Sequence, residues 1–220
     1  MAPFPFDTVV FDLDGTLADS APDLAASLNH TLATLGRATL SEAAVRTMIG
    51  NGVRMLLRRG LAATGSASDG DVNRASSLFM HFYAAHICDA TRAYPGAGAM
   101  LDTLAATGAA LAICTNKPEA LARALIDALG WSGRFRAIVG GDTLPVRKPD
   151  PAPLLEAVSR AGGGRAVLVG DSITDAETAA AAGLPLVAVS FGYRDRPATA
   201  LGAAAVIDTL RDLPETLARL

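Results

Sequence analysis

The feature that most constrains the fold is an alternation that begins at Tyr94-Pro95-Gly96 and runs to the last residue. After that break, helical spacing near Ala97–Ala106 leads to a strand at Ala109–Cys114, and a helix near Glu119–Leu129 leads to a strand at Ala137–Val139. The exchange repeats with a helix near Ala152–Ala161 and a strand at Ala166–Val169, then a helix near Ala176–Ala182 and a strand at Leu186–Val189. A late strand, Ala205–Ile207, precedes a final helix at Leu210–Leu220. Strands that alternate with helices return to one sheet by right-handed crossovers, which makes the sheet parallel and places helices on both faces. The expected class is therefore α/β, with a doubly wound parallel sheet.

One further strand precedes this series. Thr8–Phe11 is a β-branched and aromatic run that ends in Asp12-Leu13-Asp14-Gly15-Thr16, so two carboxylates sit at the carboxyl end of a buried strand, where open α/β sheets bind ligands. From about Asp19 to Arg92 there is no strand signal. Ser20-Ala21-Pro22-Asp23 reads as a helix start, with Ser20 as N-cap and Asp23 near the positive helix end. Leu24, Leu28, Leu32 and Leu35 follow at helical spacing up to Gly36. A second helix begins near Thr39–Glu42 and breaks at Gly50-Asn51-Gly52, a third opens at Val53, and Val72 to His86 form one face of a fourth. Residues 1–18 and 93–220 are thus expected to form the α/β core, and residues 19–92 a helical cap inserted above the tip of the first strand.

Each later strand beside the first also ends in polar groups. Ala109–Cys114 runs into Thr115-Asn116-Lys117-Pro118, which offers a hydroxyl and an amide before a helix N-terminus suited to anions; a plain turn and N-cap is the other reading of these residues. Arg147-Lys148-Pro149 holds one lysine beside prolines, and Ala166–Val169 ends in Gly170-Asp171-Ser172-Ile173-Thr174-Asp175. Two close carboxylates repel unless a cation or a proton compensates. Asp12, Asp14 and Asp171 at adjacent tips would form an oxygen-rich site for a hard cation, and Mg²⁺ suits a few carboxylates with water and a substrate phosphate. Lys148, Thr115 and Asn116 would then hold phosphate oxygens, leaving one carboxylate as nucleophile or base.

Composition excludes several classes. A net charge of −3 over 220 residues gives no reason to expect nucleic-acid binding. The longest apolar uncharged stretch, around Thr178 to Tyr193, is interrupted by Gly183, Pro185 and Gly192, and Met1 to Asp7 has neither a basic nor an apolar leader region. A cytoplasmic, soluble protein is expected, with no membrane partner. Cys88 and Cys114 lack metal or redox spacing, and His30, His81 and His86 form no zinc pattern. Catalysis must rest on carboxylates, lysine and hydroxyls.

These four stretches, in this order, resemble the haloacid dehalogenase-like superfamily of phosphotransferases. Asp12-Leu13-Asp14-Gly15-Thr16 is similar to its first motif, Thr115-Asn116 to its second, Lys148-Pro149 to its third, and Gly170-Asp171-Ser172 with Asp175 to its fourth. Gly50-Asn51-Gly52, Tyr94-Pro95-Gly96, Gly141 to Pro145 and Phe191-Gly192-Tyr193 look like its phosphoglycolate phosphatase branch. Thr174 and Arg194 depart from it, each standing where Asn is common. The resemblance implies a Rossmann-like core with a helical cap. It also implies a Mg²⁺-dependent hydrolase of a small phosphomonoester, 2-phosphoglycolate above all, acting through an aspartyl-phosphate.

On that resemblance Asp12 would attack phosphorus and bind metal, and Asp14 would protonate the leaving oxygen with its backbone carbonyl on the metal. Thr115 would bond a phosphoryl oxygen, Asn116 would hold the site, Lys148 would neutralise charge, Asp171 would complete the metal set, and Asp175 would stand in or beside its outer shell. The Gly50-Asn51-Gly52 loop with Arg54 is the candidate receptor for a substrate carboxylate, the core groups attending only to phosphate. Asp14 argues against a dehalogenase, which needs no acid there. A sugar-phosphate phosphatase or mutase is the nearest rival, and a non-catalytic binding protein would be expected to have lost one of the four core residues. A monomer or homodimer is expected.

Overall fold

The computed structural model describes residues 4–193 and 197–220; Arg194 lies outside them. β1 (Thr8–Phe11) is buried throughout and is followed by a two-residue strand, β2 (Ala18–Asp19). Four helices come next, α1 (Ala21–Thr34), α2 (Glu42–Arg46), α3 (Val53–Ala63) and α4 (Asp69–Ala85), and the chain returns through β3 (Arg92–Ala93), which pairs antiparallel with β2. The alternating half then runs α5 (Ala97–Ala106), β4 (Ala110–Cys114), α6 (Glu119–Ala128), β5 (Ala137–Val139), α7 (Ala152–Ala161), β6 (Ala166–Gly170), α8 (Ile173–Ala182), β7 (Leu186–Val189), β8 (Ala205–Ile207) and α9 (Leu213–Ala218).

Six strands form one parallel sheet in the order β5-β4-β1-β6-β7-β8. The chain builds outward from β1 to β5 on one side and then crosses to β6 on the other, so the winding reverses beside β1. At such a reversal the crossover connections part and leave a crevice above the strand ends. Both faces of the sheet are covered, and the side chains divide between them with the two-residue period of a strand. Val9, Phe11, Ile113, Val167 and Val187 enter one apolar layer, and Val10, Ala112, Cys114, Leu168 and Ala188 enter the other. The inserted helices bury a separate cluster that includes Leu28, Leu32, Leu57, Leu61, Val72 and Phe79. Gly60 lets α3 approach α1 closely, since a Cβ there would lie 2.8 Å from the Leu28 side chain.

The parallel sheet and the helical insert agree with the sequence reading, and four local details differ. The segment expected to be free of strands begins and ends in the β2–β3 ribbon, whose two residues on each side are too few to show a period. α2 stops at Arg46, well before the glycines, and α8 starts at Ile173 because Ser172 and Asp175 form a capping box. The expected last helix is a 3-10 turn, Leu210–Asp212, followed by α9. No helix among the described residues is long and apolar enough to cross a membrane.

Candidate active site

The site grows from the end of β1. Asp12 still uses its N–H in the sheet, donating to Val169 O at 2.9 Å, while its Oδ1 accepts from Leu13 N at 2.7 Å. The chain then turns sharply over Leu13 O, which accepts from the N–H groups of Leu17 and Ala18. Gly15 makes this turn possible: its φ is +88°, and a Cβ there would lie 2.6 Å from Asp171 Oδ2. Asp14 faces a different set of partners. Its Oδ1 accepts from Ser20 Oγ at 2.6 Å and from Lys117 Nζ at 3.0 Å. Ser20 therefore gives its hydroxyl to Asp14 instead of capping α1, and it makes no side-chain cap bond. Asp23, expected only near the positive end of α1, has further partners. It is buried and accepts from Ala90 N, Thr91 N and Thr91 Oγ1, which ties α1 to the chain returning from α4.

Asp171 and Asp175 come from the tip of β6 and the first turn of α8. Asp171 accepts from Thr16 Oγ1 at 3.0 Å and from Tyr193 N at 2.6 Å. Asp175 Oδ2 accepts from Asp171 N, Ser172 N and Ser172 Oγ, and its Oδ1 accepts from Lys148 Nζ at 2.6 Å. The same ammonium lies 3.2 Å from Asp12 Oδ2. One carboxylate oxygen from each of Asp12, Asp171 and Asp175 falls within 4.8 Å of the others. Burial pushes the Asp12 carboxyl up to about 6 against the pull of Lys148, with Asp175 and Asp14 adding repulsion. Burial, and then Asp175 and Asp12, hold Asp171 well above the usual carboxylate range. Burial disfavours the Lys148 ammonium too, yet Asp12 and Asp175 outweigh it and raise Lys148 above its ordinary value.

Three carboxylates facing one ammonium leave an excess of negative charge in a buried, all-oxygen setting. Such a donor set fits a small divalent cation. Asp175 takes three donors on Oδ2 and Lys148 on Oδ1, whereas each oxygen of Asp12 and Asp171 has a single protein partner among the described residues. Asp12 and Asp171 are therefore the pair with lone pairs to spare. The Asp14 side chain lies outside this trio.

Across the crevice, at the tip of β4, Thr115 Oγ1 accepts from Lys117 N at 3.3 Å, and Asn116 Nδ2 donates to Lys148 O at 3.1 Å and Gly50 O at 3.3 Å. Asn116 Oδ1 is buried without a protein partner among the described residues. The residue that sequence reasoning passed over is Lys117. Its Nζ donates to both Asp14 oxygens and to the Tyr83 hydroxyl of α4, and lies 4.5 Å above the Tyr83 ring. Burial opposes its charge, but Asp14 and Tyr83 raise it above the ordinary lysine range. Tyr83 remains a phenol, pushed up to about 12 by burial in spite of Lys117. Only the pairing of Lys117 with Tyr83, distant in sequence, marks it out; Thr115-Asn116-Lys117-Pro118 read by itself is a turn.

These residues line a narrow cleft. Its floor is Asp12, Asp14, Thr115, Asn116 and Lys117, and its other wall is Leu24, Ile49, Gly50, Gly52, Val53, Leu56 and Tyr83. The glycine loop closes directly onto the core, for a Cβ on Gly52 (φ +81°) would lie 3.1 Å from Asn116 O. Asn51 turns away from this cleft, donating to Thr174 Oγ1 at 3.0 Å and accepting from Arg59. Arg54 is not brought to the cleft. It is exposed and donates to Asn73 Oδ1 at 2.8 Å. The reason is helical geometry: Val53 and Leu56 face the cleft, and each residue turns ~100° from the one before it, so Arg54 swings toward α4.

Comparison with known proteins agrees with this architecture. Residues 9–189 match the family model of the haloacid dehalogenase-like hydrolases. The phosphoglycolate phosphatase of Rhodospirillum rubrum is 46% identical over 216 residues, covering 95% of this chain and 90% of the relative. That of Mesorhizobium japonicum is 46% identical over 213 residues, covering 96% and 94%. Among solved structures, a predicted phosphoglycolate phosphatase from Haemophilus somnus superposes with a TM-score of 0.91 at 31% identity, over 96% of this chain and 98% of its own. The chain belongs to the haloacid dehalogenase-like hydrolases and is a phosphatase similar to proteins named phosphoglycolate phosphatase.

Proposed function

We propose that this phosphatase hydrolyses 2-phosphoglycolate to glycolate and phosphate through a phosphoaspartate at Asp12. The observation that carries the reading is the separation of two carboxylates at one strand tip. Asp12 lies with Lys148 in the acidic cluster, whereas Asp14 is held by Ser20 and Lys117. Two acids in different settings can take different parts in one reaction. Asp12 attacks phosphorus, and Lys148 balances the charge that gathers on the nucleophile and the phosphoryl oxygens. Asp14 gives a proton to the departing alkoxide and then accepts one from the water that hydrolyses the acyl phosphate. Thr115 donates to a phosphoryl oxygen, while Asn116 keeps Lys148 and the Gly50 loop in register.

Asp12, Asp171 and the Asp14 carbonyl would hold Mg²⁺, with Asp175 orienting the set. When bound, that ion supplies charge compensation and alignment for phosphoryl transfer. The segment 19–92 acts as the cap that closes this floor, through Gly50 and Gly52. Two free thiols, Cys88 and Cys114, accord with a cytoplasmic enzyme. The test is phosphate release from 2-phosphoglycolate set beside sugar phosphates and pyrophosphate, with and without Mg²⁺. The expected result is Mg²⁺-dependent release that favours 2-phosphoglycolate. A preference for sugar phosphates, or full activity in EDTA, would overturn it.

A further inference from the structure

Among the described residues the cap contributes no cation to the lining of the cleft once Arg54 is placed outside it, yet the substrate just proposed carries a carboxylate. We propose that Lys117 and Tyr83 form the receptor for an anionic group on the leaving-alcohol side. On this account the enzyme takes phosphate esters of short 2-hydroxy acids. The inference rests on the phosphatase reading and adds the residues that select the alcohol.

Lys117 and Tyr83 are both nearly inaccessible to solvent, at 4% and 0% exposure, yet both border the cleft. An ammonium has three N–H groups. The two oxygens of the Asp14 carboxylate lie side by side at 3.0 and 3.2 Å and share one N–H as a bifurcated bond, and the Tyr83 oxygen takes a second, leaving the third for a ligand. The Tyr83 hydroxyl accepts from Lys117, and its own proton has no acceptor among the described residues. Two donors with unused hydrogens thus adjoin one small space. The end of α3 that opens at Gly52 lines the same cleft without a side-chain cap, so its partial positive charge favours the same sign of ligand.

The remaining lining sets the other half of the specificity. Leu24, Ile49, Val53 and Leu56 offer nothing to pair with sugar hydroxyls, and a hydroxyl buried there would forfeit its bonds to water. Free space in the cleft is about 40 Å³, enough for a few waters at ~10–15 Å³ each, which suits an alcohol of a handful of atoms. Lys117 would sit between the Asp14 carboxylate and the ligand's carboxylate, on the side away from Lys148.

The experiment compares kcat/KM for 2-phosphoglycolate, ethyl phosphate and phosphoethanolamine, which carry an anionic, a neutral and a cationic group at the same end. Wild type should rank them in that order. Lys117→Met should cut the preference for 2-phosphoglycolate over ethyl phosphate by roughly ten- to a hundredfold, the worth of a hydrogen bond to a charged group. Tyr83→Phe removes an uncharged donor to the same carboxylate and should cut it by roughly tenfold, the low end of the range for a hydrogen bond to a charged group, and serves if the first variant does not fold. Ser20→Ala disturbs Asp14 alone and should slow both esters by the same factor. An equal loss on both esters in Lys117→Met, or in Tyr83→Phe if Lys117→Met does not fold, would overturn the receptor and leave the phosphatase reading standing. So would wild-type turnover of phosphoethanolamine equal to that of 2-phosphoglycolate. Wild type that cleaves ethyl phosphate but not 2-phosphoglycolate would overturn both the receptor and the assignment of 2-phosphoglycolate as substrate.

Discussion

On the core side of the cleft, Asp12, Lys117, Lys148 and Asp171 are almost wholly buried and engaged by groups from other strand tips. On the helical side the lining is Leu24, Ile49, Val53 and Leu56, with the backbone of a glycine loop and one phenol. The difference shows how the two halves divide their tasks. Charges that must be placed to a fraction of an ångström sit on the rigid sheet, where the carboxylates are oriented by partners from neighbouring strand tips. The helical wall supplies shape and the exclusion of water, which tolerate small shifts. A change on the floor should therefore alter the chemistry, and a change on the wall should alter which molecule enters.

The sharpest way to break this contrast is Asp12→Asn. An amide cannot form the acyl phosphate, so turnover should fall on the order of 10⁶-fold, the scale of losing a covalent nucleophile, while a thermal melt still shows a cooperative fold. Ordinary phosphate release by the purified variant would remove Asp12 from the chemistry. Asp14→Asn should cost ~10²–10⁴-fold, the usual range for a general acid–base. That loss should shrink for aryl phosphates, whose leaving groups need little protonation. Equal losses on alkyl and aryl esters would deny Asp14 the acid role.

A smaller effect concerns pH and metal. Asp12 titrates near 6 in the fold against 3.8 in the unfolded chain, so the folded state holds more protons between these values. Without a cation, stability should fall as pH rises through that window, the opposite of the usual carboxylate behaviour. Mg²⁺ favours the ionised forms of Asp12 and Asp171, so the Tm gain on adding it should be larger at pH 7 than at pH 5. A gain independent of pH would separate the metal from these carboxylates. Least of all should follow from Arg54→Ala, which breaks only an exposed bond to Asn73. Its effect on stability should stay within about 0.5 kcal/mol, with kcat/KM for 2-phosphoglycolate unchanged, and a selective loss on that ester would return Arg54 to substrate recognition.

The sheet was legible because its strands, the edge strand β8 apart, are fully buried and read as apolar runs, and because Asp12, Asp14, Lys148 and Asp171 each stand next to a strand end or a proline. What was not legible depended on contacts between distant segments. Lys117 looks like any lysine in a turn until α4 brings Tyr83 over it. Ser20 and Asp23 look like helix-start residues until Asp14 and the Ala90–Thr91 backbone claim them. Arg54 drew notice because it is charged and close to two glycines, but the first turn of α3 decides its direction, and that phase is set by Val53 and Leu56.

The β2–β3 ribbon has a consequence for how such a chain can be altered. Because Ala18 and Asp19 pair with Ala93 and Arg92, the points where the polypeptide departs for the helices and rejoins the sheet are neighbours, about 4.8 Å apart as in any strand pair. Everything between them is, topologically, a detour. A two-residue hairpin turn of the ordinary kind would bridge the gap, and an unrelated module with adjacent termini could be spliced into the same joint without disturbing the order of the six strands. The ribbon thus serves as a socket, through which the wall over the floor can be exchanged while the floor stays as it is.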